Sequence, residues 1–300
     1  MPASDKLLNY LGSERIRYEK DCMLSEHSSF RIGGPADLAL FPDGKQISGL
    51  INELESENTR YIVIGNGSNV LFSDNGYRGA VIFTGGMDHV SIDGCAISAE
   101  AGCSLTGLAV YARNHSLTGL EFAYGIPGSV GGAVYMNAGA YGGEMSDVVV
   151  SSICYEPGYG LRTVTGGDHS FAYRHSCYSD SVRVILSAKI VLKLGDPDEI
   201  KDKMKDLMNR RREKQPLDLP SAGSAFKRYP GYFTAALIDE AGLKGYSIGG
   251  AAVSEKHAGF IVNKGGATAS DVLELIKVIR SRIFDIHGIL IEPEIKYIEE

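Results

Sequence analysis

Residues 125–142 read GIPGSVGGAVYMNAGAYG, with six glycines, one proline and no charged side chain in eighteen positions. Neither a regular helix nor a regular strand suits such a run, because glycine costs conformational entropy on folding and offers a core nothing. So dense a cluster marks backbone at positive φ, or main chain brought close to a ligand. With no Lys or Arg inside it, any phosphate it holds is met by bare N–H groups and helix ends. A loop that only turns corners is the plainer alternative. A second cluster, Gly65 and Gly67 directly after the apolar YIVI of 61–64, favours ligand contact.

Working outward, 4–11 reads as a short helix, 36–41 as a strand, and 46–57 as a helix whose Ile47, Leu50, Ile51 and Leu54 share one buried face. The run 61–64 is a short buried strand. From 80 to 101, VIFTGG, HVSIDG and AISAEAG are strands broken by glycine turns at the spacing of an antiparallel sheet. Ser104 caps a helix through His115, with Leu105, Leu108, Ala109 and Ala112 facing inward. Past the glycine run, DVVVSSICYEP and SVRVILSAKIVLKL are strands by their β-branched content. A boundary near Gly195 precedes a helix over 198–215 that buries Ile200, Met204, Leu207 and Met208 and stops at Pro216. Then come a loop, PLDLPSAGSAFKRYPG, a short helix at 232–241 and strands within 249–262. A long helix over 269–287 opens with the pattern Thr268-x-x-Asp271 and buries Val272, Leu275, Ile276, Ile279 and Ile283. Gly288 ends it, and ILIEPEIKYI closes the chain as a strand. SLTGL at 104 and again at 116 makes no repeat architecture.

The 300 residues, 44% hydrophobic, can bury a sizeable core in two or three domains. A net charge of −7 and a basic stretch at 201–214 interrupted by Asp202, Asp206 and Glu213 argue against a nucleic-acid scaffold. That stretch reads as a solvated helix face. Cysteines at 22, 95, 103, 154 and 177 form no C-x-x-C pair, which suits reduced thiols without a disulfide framework or a zinc site. The first residues lack an apolar signal region and no window approaches eighteen apolar residues, so a cytoplasmic protein without a membrane span is expected. Gly65-x-Gly67 follows a strand as a dinucleotide fingerprint requires, yet the third glycine position is Val70 and FSDNGYRG cannot open a helix. There is no G-x-x-x-x-G-K-[ST], and the seven histidines form no H-E-x-x-H, so no metal is expected. What remains is two glycine loops flanking an α+β region, suited to an extended diphosphate.

FRIGGPAD, YIVIGNGSNVL, GLEFAYGIPGSVGGAVYMNAGAYG, FAYRHS, PSAGSAFKR, GLKGYSIGGAAVSEKHAGFIVN and IEPEI occur here in one order along nearly the whole chain. In this the chain resembles the UDP-N-acetylenolpyruvoylglucosamine reductase family, MurB, of peptidoglycan synthesis. The middle portion is similar to the FAD-binding domain of the vanillyl-alcohol oxidase and p-cresol methylhydroxylase type. The nucleotide loops alone mark only that superfamily, whereas FAYRHS, AGSAFK and EPE together are specific. The resemblance implies an α+β, three-domain flavoprotein. Its FAD-binding subdomain 1 covers 1–83, completed by the C-terminal strand 288–300; subdomain 2 covers 84–197; an α+β substrate-binding domain covers 198–287. The length and the short passage into the basic helix look like the compact type II branch, so no tyrosine is assigned the role of covering the substrate.

The activity implied is reduction of UDP-N-acetylglucosamine enolpyruvate to UDP-N-acetylmuramate. NADPH gives hydride to non-covalent FAD, and flavin N5 gives it to C3 of the substrate. Hydride at C3 of an unsaturated carboxylate leaves an enolate at C2, so the site needs a proton donor and cationic help at the carboxylate. By the motif match, Ser224 is that donor, Arg174 polarises the carboxylate and Glu294 assists. Each residue taken singly also reads as an ordinary one: a surface arginine, a cap serine, an edge-strand glutamate. The match places FAD contacts at Gly65, Asn66, Gly67, Ser68, Asn69, Pro127, Gly128, Ser129, Gly131, Gly132, Ala133, Asn137 and Gly139. It places the substrate's nucleotide diphosphate near Lys214, Lys227 and Arg228, although Lys214 equally suits a helix end favoured by the dipole. Arg228 stands where the family often has Asn. Cys177 is either a reactive thiol or a buried inert one. A monomer is expected, with the substrate and NADPH as its partners. Two rivals stay open, another flavoenzyme on the same FAD fold and a nucleotide-binding regulator without turnover.

Overall fold

The computed structural model describes residues 4–300, so positions 1–3 of the expected first domain lie outside the described residues. The chain divides into two compact units. The first comprises 4–20, 38–66 and 79–210, and the second 21–37, 67–78 and 211–300.

In the first unit, Ser4 accepts the N–H of Leu7 and opens the helix Asp5–Ser13, while Ile47–Ser56 buries the expected Ile47, Leu50, Ile51 and Leu54. A five-stranded antiparallel sheet runs in the order Gly160–Thr165, Val149–Glu156, Val184–Val191, Ala96–Glu100, Val90–Asp93. A second sheet, of which this unit holds 17–20, 38–41, 79–83 and 61–64, orders Arg17–Met23, Pro35–Phe41, Tyr77–Phe83 and Tyr61–Ile64. Here the sequence expectation needs correction. The strand carrying VIF pairs in parallel with Tyr61–Ile64, in the register Tyr61↔Ala80 to Ile64↔Phe83, and does not join the antiparallel set. Ala80, Val81, Ile82 and Phe83 are all buried, and an unbroken apolar run is the mark of a strand covered on both faces. Ser104 caps Leu105–Asn114 as expected, accepting the N–H of Gly107 at 3.2 Å. Pro197–Lys214 is helical, with Pro197 in its first turn and the Asp196 carboxylate accepting the N–H groups of Asp198 and Glu199. One continuous core joins Leu7, Leu50, Leu108, Val134, Tyr178, Ile190 and Met204.

The glycine run also departs from its reading as purely irregular. Val130–Tyr135 is a short helix capped by Ser129. Gly131 is there for packing, since a Cβ on it would stand 2.8 Å from that of Ala101. Close approach to Ala101 thus overrides the poor helix propensity of glycine.

In the second unit, Ser221–Ser224, Phe260–Asn263, Ala251–Val253 and Ser247–Ile248 form an antiparallel sheet in that order. Ala269–His287 matches its expected limits. Thr268 and Asp271 form the reciprocal cap, and Gly288, at φ 66°, ends the helix in the left-handed region. The closing run is strand only at Lys296–Ile298, because Pro293 lacks an N–H for a ladder; that strand pairs in parallel with Val70–Phe72, a strand not foreseen. The core of this unit gathers Phe30, Leu71, Ile238, Val253, Leu275 and Ile279.

Candidate functional site

In the first unit the two glycine loops meet. Asn66 donates from Nδ2 to the carbonyl of Pro127 at 3.3 Å, and a Cβ added to Gly65 would fall 2.1 Å from Ser129 Oγ. The N–H groups of the short helix are already used. Val130 donates to Cys103 at 2.9 Å, Gly131 to Ala101 at 2.8 Å, and Gly132 to Ser129 Oγ at 3.3 Å. This corrects the expectation of a helix end offering bare N–H groups, because neighbouring carbonyls and the cap satisfy them first. The Gly128 carbonyl accepts the N–H of Leu105 at 3.0 Å, Pro127 is exposed, and Ala133 is buried within the helix. Gly139 packs against Glu144, whose Cβ lies 2.7 Å from where a glycine Cβ would be. Asn137 is buried at φ 43°, a conformation Asn tolerates better than most residues. It donates from Nδ2 to the Ala172 carbonyl at 3.2 Å and accepts the N–H of Ser146 at 2.9 Å. Both groups of this amide therefore face the chain itself.

Asn137 holds the segment that carries Arg174. Ala172 and His175 exchange both main-chain hydrogen bonds at 3.1 Å, closing a tight turn with Tyr173 and Arg174 at its tip. Arg174 has φ 55°, and its guanidinium carbon lies 5.2 Å from the centre of the Tyr173 ring. Left-handed backbone at a bulky residue costs free energy and is a common mark of a functional position. Below the turn, Ser176 is fully buried and donates to the Tyr135 carbonyl at 2.8 Å. His169 Nδ1 lies 3.0 Å from the Gly166 carbonyl, so that nitrogen carries the proton and Nε2 accepts from Ser152 at 2.8 Å. Ser152 in turn accepts from the Tyr178 hydroxyl at 2.6 Å. Burial pushes the Cys177 thiol up from its ordinary pKa, which favours the inert reading of that residue.

In the second unit, Gly67 is buried at φ 59°, and a side chain there would meet the His27 carbonyl at 2.2 Å. Ser68 follows, half-buried, and Asn69 donates from Nδ2 to the Glu294 carbonyl at 3.2 Å. Ser224 ends its strand, after a register shift in which Ser221 pairs with Val262 and Ser224 with Phe260. Gly223, inside that bulge, has φ 76°. The hydroxyl of Ser224 donates to the Phe226 carbonyl at 3.2 Å. The EPE segment lies antiparallel to this stretch: Glu294 donates to Ala225 at 2.8 Å and Lys227 to the Glu292 carbonyl at 2.9 Å. AGSAFK and EPE, well separated in sequence, are thus bonded side by side, and the Lys227 ammonium also pairs with Glu292 at 3.1 Å. Arg228 is exposed, its guanidinium 5.6 Å from the centre of the Phe233 ring, and Lys214 is exposed at the end of its helix.

A family model described as the UDP-N-acetylenolpyruvoylglucosamine reductase C-terminal domain matches residues 215–298, and one described as an FAD binding domain matches 37–158. A UDP-N-acetylenolpyruvoylglucosamine reductase of Caldanaerobacter subterraneus subsp. tengcongensis is 48% identical, over 99% of this chain and 98% of that protein. The chain belongs to this family. A second reductase of that name, from Caldicellulosiruptor bescii, is 47% identical over 97% of the chain and 94% of its own length. The crystal structure of the MurB enzyme from Thermus caldophilus aligns at a TM-score of 0.81 with 32% identity, covering 94% of this chain and 99% of that one. An alkyldihydroxyacetonephosphate synthase shares the fold at a TM-score of 0.50 and 15% identity, over 64% of this chain and 42% of its own. With the matching FAD-binding family model, the fold is the α+β, vanillyl-alcohol-oxidase type that the resemblance implied.

Residues of the first unit fit the flavin nucleotide of this family on two observations. Gly65 presents bare backbone where any Cβ would overlap the Ser129 hydroxyl, and the Thr84 hydroxyl near it is buried without a hydrogen-bond partner among the described residues. Sequence reasoning passed over Thr84, since one threonine at the end of a strand carries no motif. It also passed over His257, whose Nδ1 accepts the N–H of Gly259 at 3.1 Å while the Gly259 carbonyl accepts the N–H of Ala225 at 2.7 Å. Burial, with Lys244 and Lys214 adding to it, holds His257 below its ordinary pKa, as suits an acceptor nitrogen.

Proposed function

We infer that this chain is an FAD-dependent oxidoreductase that reduces UDP-N-acetylglucosamine enolpyruvate to UDP-N-acetylmuramate with NADPH. The observation that carries the reading is the bonded pair of segments in the second unit, AGSAFK against EPE, in a chain 48% identical to a reductase of that name. Another flavoenzyme on this fold has no evident use for that pair. When bound, FAD supplies the hydride that reaches C3 of the substrate.

The chain's own residues then have three tasks. Ser224 gives its hydroxyl proton to C2, which breaks its bond to the Phe226 carbonyl; water restores the proton afterwards. A serine is a weak acid, but the enolate is strongly basic, and a hydroxyl held in place avoids the entropic cost of finding it. Arg174 offers its guanidinium to the substrate carboxylate, where charge accumulates once hydride has been added. Glu294, its main chain held by the Ala225 carbonyl, assists Arg174, while Lys214, Lys227 and Arg228 supply positive charge for the nucleotide diphosphate. The FAD contacts are proposed at Gly65, Asn66, Gly67, Ser68, Asn69, Pro127, Gly128, Ser129, Gly131, Gly132, Ala133 and Gly139, with Asn137 acting through the loop it braces. The division into 1–83 with 288–300, 84–197 and 198–287 assigns the flavin to the first two parts and the sugar nucleotide to the third. A cytoplasmic monomer belongs to the same proposal, because NADPH is an intracellular reductant.

Anaerobic mixing tests the reading. NADPH should bleach the flavin absorbance, and UDP-N-acetylglucosamine enolpyruvate should restore it with formation of one product molecule per flavin. Reduced flavin that survives the enolpyruvyl substrate unchanged would overturn it.

A further inference from the structure

We propose that the hydroxyl of Thr84 is a ligand of the flavin's diphosphate, donating its proton to an anionic oxygen beside Gly65. The proposal rests on FAD binding by the first unit and adds a residue that neither the motif match nor the glycine pattern contains. Thr84 follows the strand Tyr77–Phe83 and is 4% exposed. Its main chain is fully engaged: the N–H donates to Ile64 at 3.0 Å, and the carbonyl accepts the N–H of Met87 at 2.8 Å. Oγ1 alone is left, buried and without a hydrogen-bond partner among the described residues.

A buried hydroxyl without an acceptor is worse for the folded chain than a methyl group of the same shape, so valine would serve better if the protein alone decided. The surroundings say what the missing partner is. A Cβ on Gly65 would stand 2.1 Å from Ser129 Oγ and 3.9 Å from Thr84 Oγ1, so the Ser129 hydroxyl lies directly against bare Gly65 backbone, an approach only glycine permits, and the Thr84 hydroxyl lies near the same spot. Ser129 is 1% exposed and accepts the Gly132 N–H, which leaves its own proton to give. Two hydroxyl donors beside one bare glycine backbone, in loops with no Lys or Arg, suit an acceptor that carries its own negative charge. Hydrogen bonds to such an acceptor are about twice as strong as neutral ones.

The test compares Thr84→Val, Thr84→Ser and wild-type apoprotein, each freed of flavin and titrated with FAD. Thr84→Val should raise Kd about tenfold or more while the melting temperature of its apoprotein stays equal to wild type or rises. Thr84→Ser should remain within about threefold of wild type. Wild-type affinity in Thr84→Val overturns the proposal, and so does a lower apoprotein melting temperature, which would mean that the hydroxyl serves the protein. Wild-type apoprotein that refuses FAD would instead bring down the cofactor reading itself, so the two failures are distinguishable.

Discussion

The N–H of Glu294 donates to the carbonyl of Ala225 at 2.8 Å, one residue beyond Ser224. This bond, flanked by that from Lys227 to the Glu292 carbonyl and by the Phe226↔Pro293 bridge, fixes the EPE segment in register against the serine loop. The carboxylate and the hydroxyl are thereby tied to one piece of backbone. On the other side, Gly259 and His257 hold the same loop. A proton donor as weak as serine depends on this kind of positioning.

Replacing Ser224 by alanine should leave FAD binding and reduction by NADPH unchanged while product formation falls by about 100-fold or more, the usual scale for a general acid. Stopped-flow measurement of both half-reactions checks it. Undiminished turnover removes Ser224 from the mechanism.

Gly65→Ala should lower FAD occupancy and cost about 1–3 kcal/mol, since its Cβ would overlap Ser129 Oγ. Ser129→Ala alone should cost about 1 kcal/mol through the lost cap. Combined, the two should cost less than their sum, because removing the hydroxyl opens the space. Flavin-to-protein ratio and urea unfolding of all three variants give the coupling; strict additivity contradicts it.

Asn137→Ala removes the acceptor for Ser146 and the donor to Ala172, and it puts a less tolerant residue at φ 43°. The sum is about 3 kcal/mol of stability. The Ala172–His175 turn loses its brace, so KM for the enolpyruvyl substrate should rise in whatever fraction remains folded. An unchanged KM would separate Asn137 from Arg174.

The N–H of Thr268, followed by that of Gly250, holds the Asp271 carboxyl below its ordinary pKa. A depressed folded pKa means that the contribution is complete above the unfolded value and is lost as pH falls through the folded one. Asp271→Asn should cost about 0.5–1 kcal/mol at pH 7, the modest scale of an exposed cap, and the gap to wild type should close below about pH 4. Denaturant unfolding at pH 7, 5 and 3 reads the gap, and a constant difference would contradict the assignment.

What local sequence determines is visible in the helix Ala269–His287. Its reciprocal cap, its five apolar positions on one stripe and Gly288 at φ 66° are all written within a few residues of where they act. The same holds for Ser104 as a cap, and for the two glycine loops as places of close approach. Order and wording of the motifs were enough for the family.

Long-range contact decided the rest. Gly131 sits in a helix because Ala101 presses on it, and the strand 80–83 is parallel because its partner is Tyr61–Ile64. Asn137 braces the Arg174 turn because its amide donates to the Ala172 carbonyl, thirty-five residues on. A threonine with an unspent hydroxyl looks like any other in a string of letters. Periodicity and capping are local properties of a chain, whereas hydrogen-bond satisfaction depends on what the fold brings within 3 Å or so of each polar atom.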